Sequence, residues 1–336
     1  MGLSAAIFGM QGTGLTEQEI DFFKRVKPYG YILFARNCES PEQIKKLVGE
    51  LKEVSGRDIL PILIDQEGGR VARLKPPHFP AFPAAGKFAN IAVSDIEAAK
   101  KAVYENARLI AHELNELGIT VNCGPLADLP VEGAHDIIGD RAFGKEVWQV
   151  SQLAESFAQG LADGGVVSVL KHIPGHGRAF ADSHLELPVV DTPLEILRQS
   201  DFLPFKALSH LPMAMTAHVL YTAIDPENMA TVSKAANSII RDEIGFDGLL
   251  MSDDLSMKAM HGDFTQRTRD VLSAGCDIVL HCNGDMSEML AIEKGIKPLS
   301  GKALERANKA MEGAGKTKGF FDIFIARENV NKALVS

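Results

Sequence analysis

The sequence predicts a (β/α)8 barrel, an α/β fold, that forms a single domain over residues 1–336 and carries extra helices after its eighth strand. Three observations lead to this fold class. Eight short apolar runs of strand length recur along the chain, segments with helical spacing separate them, and ionisable residues follow several of the runs. A strand followed by a helix, repeated eight times, is typical of such barrels.

The eight predicted strands are short apolar or β-branched runs. In chain order they cover residues 5–9, 30–35, 60–65, 119–123, 166–172, 213–218, 248–253 and 277–282.

The segments between the runs predict the helices of the barrel. Apolar residues recur at helical spacing over 42–54, 96–117, 150–163 and 194–208. Ser40-Pro41 and Thr192-Pro193 each place a capping side chain before a proline at the first helical position. After the eighth strand, 286–296 completes the last unit, and we expect 301–313 and 321–335 to form extra helices outside the barrel.

Composition and charge argue against several classes of protein. With 46% hydrophobic and 24% charged residues, the chain can bury a large core. Its net charge of -9 and its lack of a basic tract argue against nucleic acid as a partner. The N-terminal residues form no signal peptide, and no run approaches the length of a membrane span. We therefore expect a cytoplasmic protein that binds neither nucleic acid nor membranes. Since no exposed apolar helix face stands out in the sequence, we also expect a monomer.

Ionisable residues collect at the carboxyl ends of the predicted strands, where barrel enzymes carry their chemistry. A single such residue could be the solvated edge of a strand, but four coinciding ends predict a polar pocket. The residues at these ends are Asp65 after the third run, Lys171 and His172 after the fifth, His218 after the sixth and Asp253 after the seventh. Glycines at 68–69 and 175–177 follow two of them and let the backbone approach a ligand closely.

Five motifs in this order resemble the β-N-acetylglucosaminidases of glycoside hydrolase family 3, in particular the NagZ-type enzymes of peptidoglycan recycling. They are DQEGGRV at 65–71, GDRAFG at 139–144, KHIPGHG at 171–177, DSH at 182–184 and FDGLLMSDDLSM at 246–257. The resemblance runs from about the second predicted strand to the eighth.

The resemblance implies the site residues. It makes Asp253 the glycosyl nucleophile, with Asp254 as its orienting neighbour, and it makes Asp182 and His184 an acid/base dyad on the loop after the fifth strand. It also implies the residues that bind the sugar: Asp65, Arg73, Arg141, Lys171 and His172. It implies a muropeptide or another disaccharide containing N-acetylglucosamine as substrate, and neither a cofactor nor a metal.

The residues themselves are compatible with this chemistry. Retaining hydrolysis needs a carboxylate on one face of the anomeric carbon and a proton donor on the leaving-group side. Asp253 suits the first role. His184 suits the second, because its ordinary pKa is close to neutral, and Asp182 two residues earlier can orient the ring. The glycine-bearing segment 174–184 predicts a mobile loop that closes over the sugar when substrate binds.

Three other roles and three other functions remain open at this point. We expect a structural role for His176 and a supporting role for Asp128, and we divide His218 evenly between lining the pocket and supporting it. The rival functions are a metal-dependent hydrolase using the cluster of His and Asp residues, an inert sugar-binding barrel, and a phosphorylase on the same fold. Lys171 argues against the first, since it places a cation where a metal ion would bind.

Overall fold

The computed structural model describes residues 2–133, 136–181, 183 and 186–335. Within these residues eight parallel strands close into a barrel, in the order β1-β8-β7-β6-β5-β4-β3-β2. The strands are β1 Ser4–Gly9, β2 Pro28–Leu33, β3 Ile62–Ile64, β4 Val121–Asn122, β5 Val167–Ile173, β6 Met213–Thr216, β7 Leu249–Asp254 and β8 Ile278–His281. The predicted α/β barrel is therefore confirmed.

Helices surround the barrel. They are α1 Glu17–Val26, α2 Pro41–Ser55, α3 Ala85–Ala92, α4 Ile96–Glu116, α5 Val147–Asp163, α6 Leu194–Gln199, α7 Phe202–Ala207, α8 Lys234–Ser238, α9 Phe264–Ala274, α10 Met286–Glu293, α11 Gly301–Ala310 and α12 Ile323–Val335. A π-helical turn, Ile239–Glu243, continues α8. Two short ribbons lie outside the barrel: Gln66–Gly68 pairs with Val71–Ala72, and Val189–Val190 pairs with Leu220–Tyr221.

Two local expectations differ from the structure. The helix predicted over 194–208 is two helices, α6 and α7, because Pro204 has no amide hydrogen to donate to the Ser200 carbonyl. Arg178 donates to the Ser200 hydroxyl and the Asp201 carboxylate at the break. Pro193 occupies the N-cap position of α6, one residue before the first helical position for which it was predicted. By contrast, Ser40 caps α2 as predicted, accepting from the Gln43 amide at 3.2 Å with Pro41 at the first position.

The barrel has an inner and an outer apolar layer because successive side chains of each strand point to opposite faces. Inward-facing residues such as Ile7, Ile32 and Val169 form one buried cluster, to which α11 contributes Ala307 and Ala310. The Tyr29 hydroxyl donates to the Ala307 carbonyl at 2.8 Å, so α11 covers the floor of the barrel. The opposite end, where the strands finish, stays open to ligands. Among the described residues, no helix is both long enough and apolar enough to cross a lipid bilayer.

Candidate active site

A cavity of about 270 Å³ opens at the carboxyl ends of the strands. It brings together six of the eight site residues that the sequence predicts, which come from segments far apart in the chain. The residues are Asp65, Arg73, Arg141, Lys171, His172 and Asp253. Apolar side chains, among them Phe34 and Met257, complete the wall.

Lys171, at the end of β5, is the central cation of the cavity and only 2% of its side chain is exposed. Its ammonium lies 2.9 Å from Asp65 Oδ1 and 2.6 Å from Glu67 Oε1. Burial alone would lower the pKa of Lys171, but the two carboxylates hold it above its usual range. Lys171 therefore stays charged, and it is compensated on both sides.

Glu67 links Lys171 to Arg141. Its two oxygens accept from Arg141 Nε at 2.9 Å and Nη2 at 2.8 Å, a bidentate pair with both side chains about 10% exposed. Burial alone would raise the pKa of Glu67, but Lys171 and Arg141 lower this pKa to about 2. Glu67 lies within the motif at residues 65–71, but no role was predicted for it, so it is a residue that sequence reasoning missed.

Arg73 is held by an acid and an aromatic ring. Its Nη2 donates to Asp65 Oδ2 at 2.9 Å, and its guanidinium lies 5.0 Å from the centre of the Phe34 ring. Arg36 lies on the same ring at 5.1 Å. Burial alone would raise the pKa of Asp65, but Lys171 and Arg73 hold this pKa well below its usual range. Asp65 is therefore ionised at neutral pH.

Asp128 supports two histidines, His172 near the end of β5 and His176 in the loop that follows. It is fully buried, and its carboxylate lies 2.8 Å from His172 Nδ1 and accepts the His176 amide at 2.7 Å. Burial alone would raise the pKa of Asp128, but His172 lowers it. Burial, with a smaller contribution from His172, lowers the pKa of His176 to about 4, so that ring is neutral at pH 7.

The two adjacent acids at the end of β7 differ in their surroundings. Asp254 Oδ1 accepts the amides of Ser256 at 3.0 Å and Cys282 at 3.1 Å, and its other oxygen accepts the Ser256 hydroxyl. Asp254 therefore joins the β7 loop to the end of β8. Asp253 lines the same cavity, and one of its oxygens accepts the Asp254 amide at 2.8 Å.

His218 is buried behind this pair. Its ring nitrogens lie 2.7 Å from Thr231 Oγ1 and 3.0 Å from the Asp254 carbonyl oxygen. Burial lowers the pKa of His218, so the ring is neutral. These contacts place it among the supporting residues of the cavity.

Comparison with known proteins identifies the family. The glycosyl hydrolase family 3 N-terminal domain matches residues 17–312, most of the chain. The chain belongs to glycosyl hydrolase family 3. It is therefore a glycoside hydrolase.

Relatives of this family 3 hydrolase match it over most of their length. A β-hexosaminidase from Idiomarina loihiensis is 34% identical over 312 residues, which cover 92% of this chain and 93% of the relative. A β-hexosaminidase from Alkalilimnicola ehrlichii is 38% identical over 287 residues, 84% of this chain and 82% of the relative. The structure of NagZ from Neisseria gonorrhoeae in complex with N-trifluoroacetyl-D-glucosamine superposes with a TM-score of 0.89 at 32% identity, covering 100% of this chain and 99% of that one.

Two predicted site residues of the hydrolase, Asp182 and His184, lie outside the described residues. Ser183 between them is buried, and its carbonyl accepts the Ala259 amide at 3.3 Å, which connects this loop to the one after β7. Earlier in the loop, Arg178 Nε donates to Asp201 Oδ2 at 2.7 Å. The closing motion of segment 174–184 stays a prediction.

The arrangement of side chains also bears on whether the cavity could bind a metal ion. In the described part of the chain, no group of three or more His, Cys, Asp and Glu side chains is arranged to hold a metal ion. The cavity holds buried ion pairs: Lys171, Arg73 and Arg141 face the carboxylates of Asp65 and Glu67.

Proposed function

We propose that this hydrolase is a retaining exo-β-N-acetylglucosaminidase of peptidoglycan recycling in the cytoplasm. It removes a terminal β-1,4-linked N-acetylglucosamine from 1,6-anhydro-N-acetylmuramic acid, with or without the attached peptide. The observation that carries the proposal is the position of Asp253 in a cavity of about 270 Å³ lined by four lysine and arginine side chains. Ligand cavities are roughly 300–1,000 Å³, so this one suits a single terminal sugar.

The choice of an acetamido sugar is supported by the relatives. Several are named β-hexosaminidases, and the gonococcal NagZ structure contains N-trifluoroacetyl-D-glucosamine, an N-acylated glucosamine. The muropeptide substrate follows from the resemblance in the five motifs.

Asp253 is the nucleophile in this proposal, and Asp254 is not. The carboxylate of Asp254 is committed to two backbone amides and a hydroxyl, which leaves it badly placed to form a glycosyl ester. Asp253 attacks the anomeric carbon as the bond to the leaving oxygen breaks, and water later releases the sugar with retained configuration.

His184 is the proposed acid and base, with Asp182 orienting its ring. It gives its proton to the leaving oxygen in the first step and takes a proton from water in the second. A neutral-range pKa lets one imidazole serve both steps at cytoplasmic pH.

The remaining predicted residues hold the sugar in this proposal. Asp65 is ionised and can accept hydrogen bonds from sugar hydroxyl groups, whereas Arg73, Arg141 and Lys171 donate hydrogen bonds to sugar oxygens. His172, oriented by Asp128, lines the same wall. We also propose that residues 1–336 form one domain that acts as a monomer, which light scattering on a sizing column tests.

The deciding experiment is hydrolysis of 4-nitrophenyl N-acetyl-β-D-glucosaminide beside the matching glucoside, with wild type and Asp253→Ala. We expect wild type to release 4-nitrophenol from the acetamido sugar alone. Asp253→Ala should abolish this release, whereas Asp254→Asn should keep measurable turnover. His184→Ala should slow the natural disaccharide far more than the activated aryl glycoside, and Asp182→Asn should do the same more weakly. Turnover that requires added phosphate would replace hydrolysis by phosphorolysis, and full activity of Asp253→Ala would refute the nucleophile.

A further inference from the structure

The guanidinium of Arg70 is bound by a backbone loop from another part of the chain. Arg70 follows the turn after β3, and its Nη2 donates to the carbonyl oxygens of Asp136 at 2.7 Å and Ile137 at 2.8 Å. Its Nε donates to Asp140 Oδ1 at 3.1 Å. The loop between β4 and α5 is therefore wrapped around one planar cation at the edge of the cavity.

This loop carries Arg141, and the two arginines share an acceptor. Arg141 Nη1 donates at 3.1 Å to the Ile137 carbonyl oxygen that also accepts from Arg70. A carbonyl oxygen has two lone pairs and can accept both bonds. Arg70 therefore fixes the oxygen on which the Arg141 side chain rests.

Both anchors of the loop come from the same ribbon. Glu67 holds the head of Arg141 with a bidentate pair, and Arg70, three residues later, holds the backbone just before Arg141. The turn between them has little freedom: Gly68 and Gly69 have φ of 105° and 57°, and a Cβ on Gly68 would lie 2.3 Å from the Pro83 carbonyl oxygen. A fixed turn fixes the spacing of the two anchors.

We propose that Arg70 is a positioning residue that orders residues 136–141 and so holds Arg141 in the sugar cavity. Its role in catalysis rests on the proposed role of Arg141 in binding the sugar. Arg70 lines the cavity with Ile137, but its Nε and Nη2 donors are directed to the loop. A small displacement of a substrate-holding group can cost about 100-fold in rate, which sets the effect expected for Arg70→Ala.

The test compares Arg70→Ala, Arg70→Lys and the surface control Arg25→Ala, whose side chain pairs with Glu293 far from the cavity. We expect kcat/KM of Arg70→Ala on the acetamido aryl glycoside to fall about 100-fold, mainly through KM. Added guanidinium ion at non-denaturing concentration should restore most of it. Arg70→Lys should not restore kcat/KM, because an ammonium group cannot span the two carbonyls and the carboxylate. Arg25→Ala should match wild type with and without guanidinium.

Two further readouts separate the possible outcomes. Amide hydrogen exchange over residues 136–142 should be faster in Arg70→Ala and slower again with guanidinium; unchanged exchange would overturn the proposal. In an Arg141→Ala background, Arg70→Ala should lower kcat/KM only a little further. If the two substitutions instead lowered kcat/KM by the product of their separate effects, Arg70 would act on the substrate by itself. If wild type cleaves neither sugar, the proposed function fails, and the exchange measurement still decides whether Arg70 orders the loop.

Discussion

Replacing Glu67 with glutamine tests how much the buried charge cluster contributes to stability. The pKa of Glu67 falls from an ordinary 4.5 to about 2 in the folded protein. Each pKa unit corresponds to about 1.36 kcal/mol, so the ionised carboxylate contributes about 3 kcal/mol at pH 7. The cost of breaking a buried ion pair, about 3–5 kcal/mol, is similar.

The sign of the pH dependence follows from the lowered pKa. The stability that the ionised Glu67 carboxylate contributes is complete above 4.5, the pKa of Glu67 in the unfolded chain, and is lost as pH falls toward about 2. At pH 3 the same relation leaves about 1.4 kcal/mol. The stability difference between wild type and Glu67→Gln should therefore narrow by about 2 kcal/mol between pH 7 and pH 3.

Urea denaturation across this pH range measures the difference, with unchanged m-values as the check that the transition is comparable. Glu293→Gln is the matched control, because Glu293 makes the same bidentate contact with Arg25, at 2.9 Å for each bond, on the surface. An exposed pair contributes about 0–1 kcal/mol, so this control should change little. If the Glu67→Gln difference stayed constant with pH, or equalled that of Glu293→Gln, the reasoning about the buried cluster would be wrong.

Two other substitutions test supports of the cavity wall. Phe34→Leu removes the ring against Arg73, a cation–π contact worth about 1 kcal/mol, so KM on the acetamido glycoside should rise roughly fivefold while Phe34→Tyr stays near wild type. Asp128→Asn removes the charge that orients His172, so kcat/KM should fall about 100-fold and urea unfolding should show a loss of about 3 kcal/mol. Steady-state kinetics at pH 7 check both, and an Asp128→Asn enzyme with wild-type kcat/KM would contradict the supporting role.

Much of the barrel could be predicted because its strands are nearly continuous apolar runs, whose pattern is local. Two deviations lie next to prolines. The ladder of β4 ends after Asn122, since Gly124 and Pro125 follow and proline has no amide hydrogen to donate. The break between α6 and α7 lies four residues before Pro204, whose nitrogen cannot donate to the Ser200 carbonyl, and Arg178 donates to the side chains at the break.

The site was predictable as a set of strand ends and motifs, whereas its supports were not. Glu67 and Arg141 are 74 residues apart, and Arg70 binds backbone oxygens, which carry no sequence signal at all. A charged residue beside glycines in a motif is compatible with substrate contact or with a scaffolding role. Only the direction of its donors separates the two.

The acidic doublet after β7 shows the same limit most clearly. Asp253 and Asp254 are chemically identical and adjacent, so composition and spacing give no reason to choose between them. The choice depends on Ser256 and Cys282, whose amides occupy Asp254, and Cys282 comes from the next strand of the barrel. An acid that accepts backbone amides from two strands stabilises the rim. Asp253 lines the cavity, and in the proposed function it is the residue that carries the chemistry.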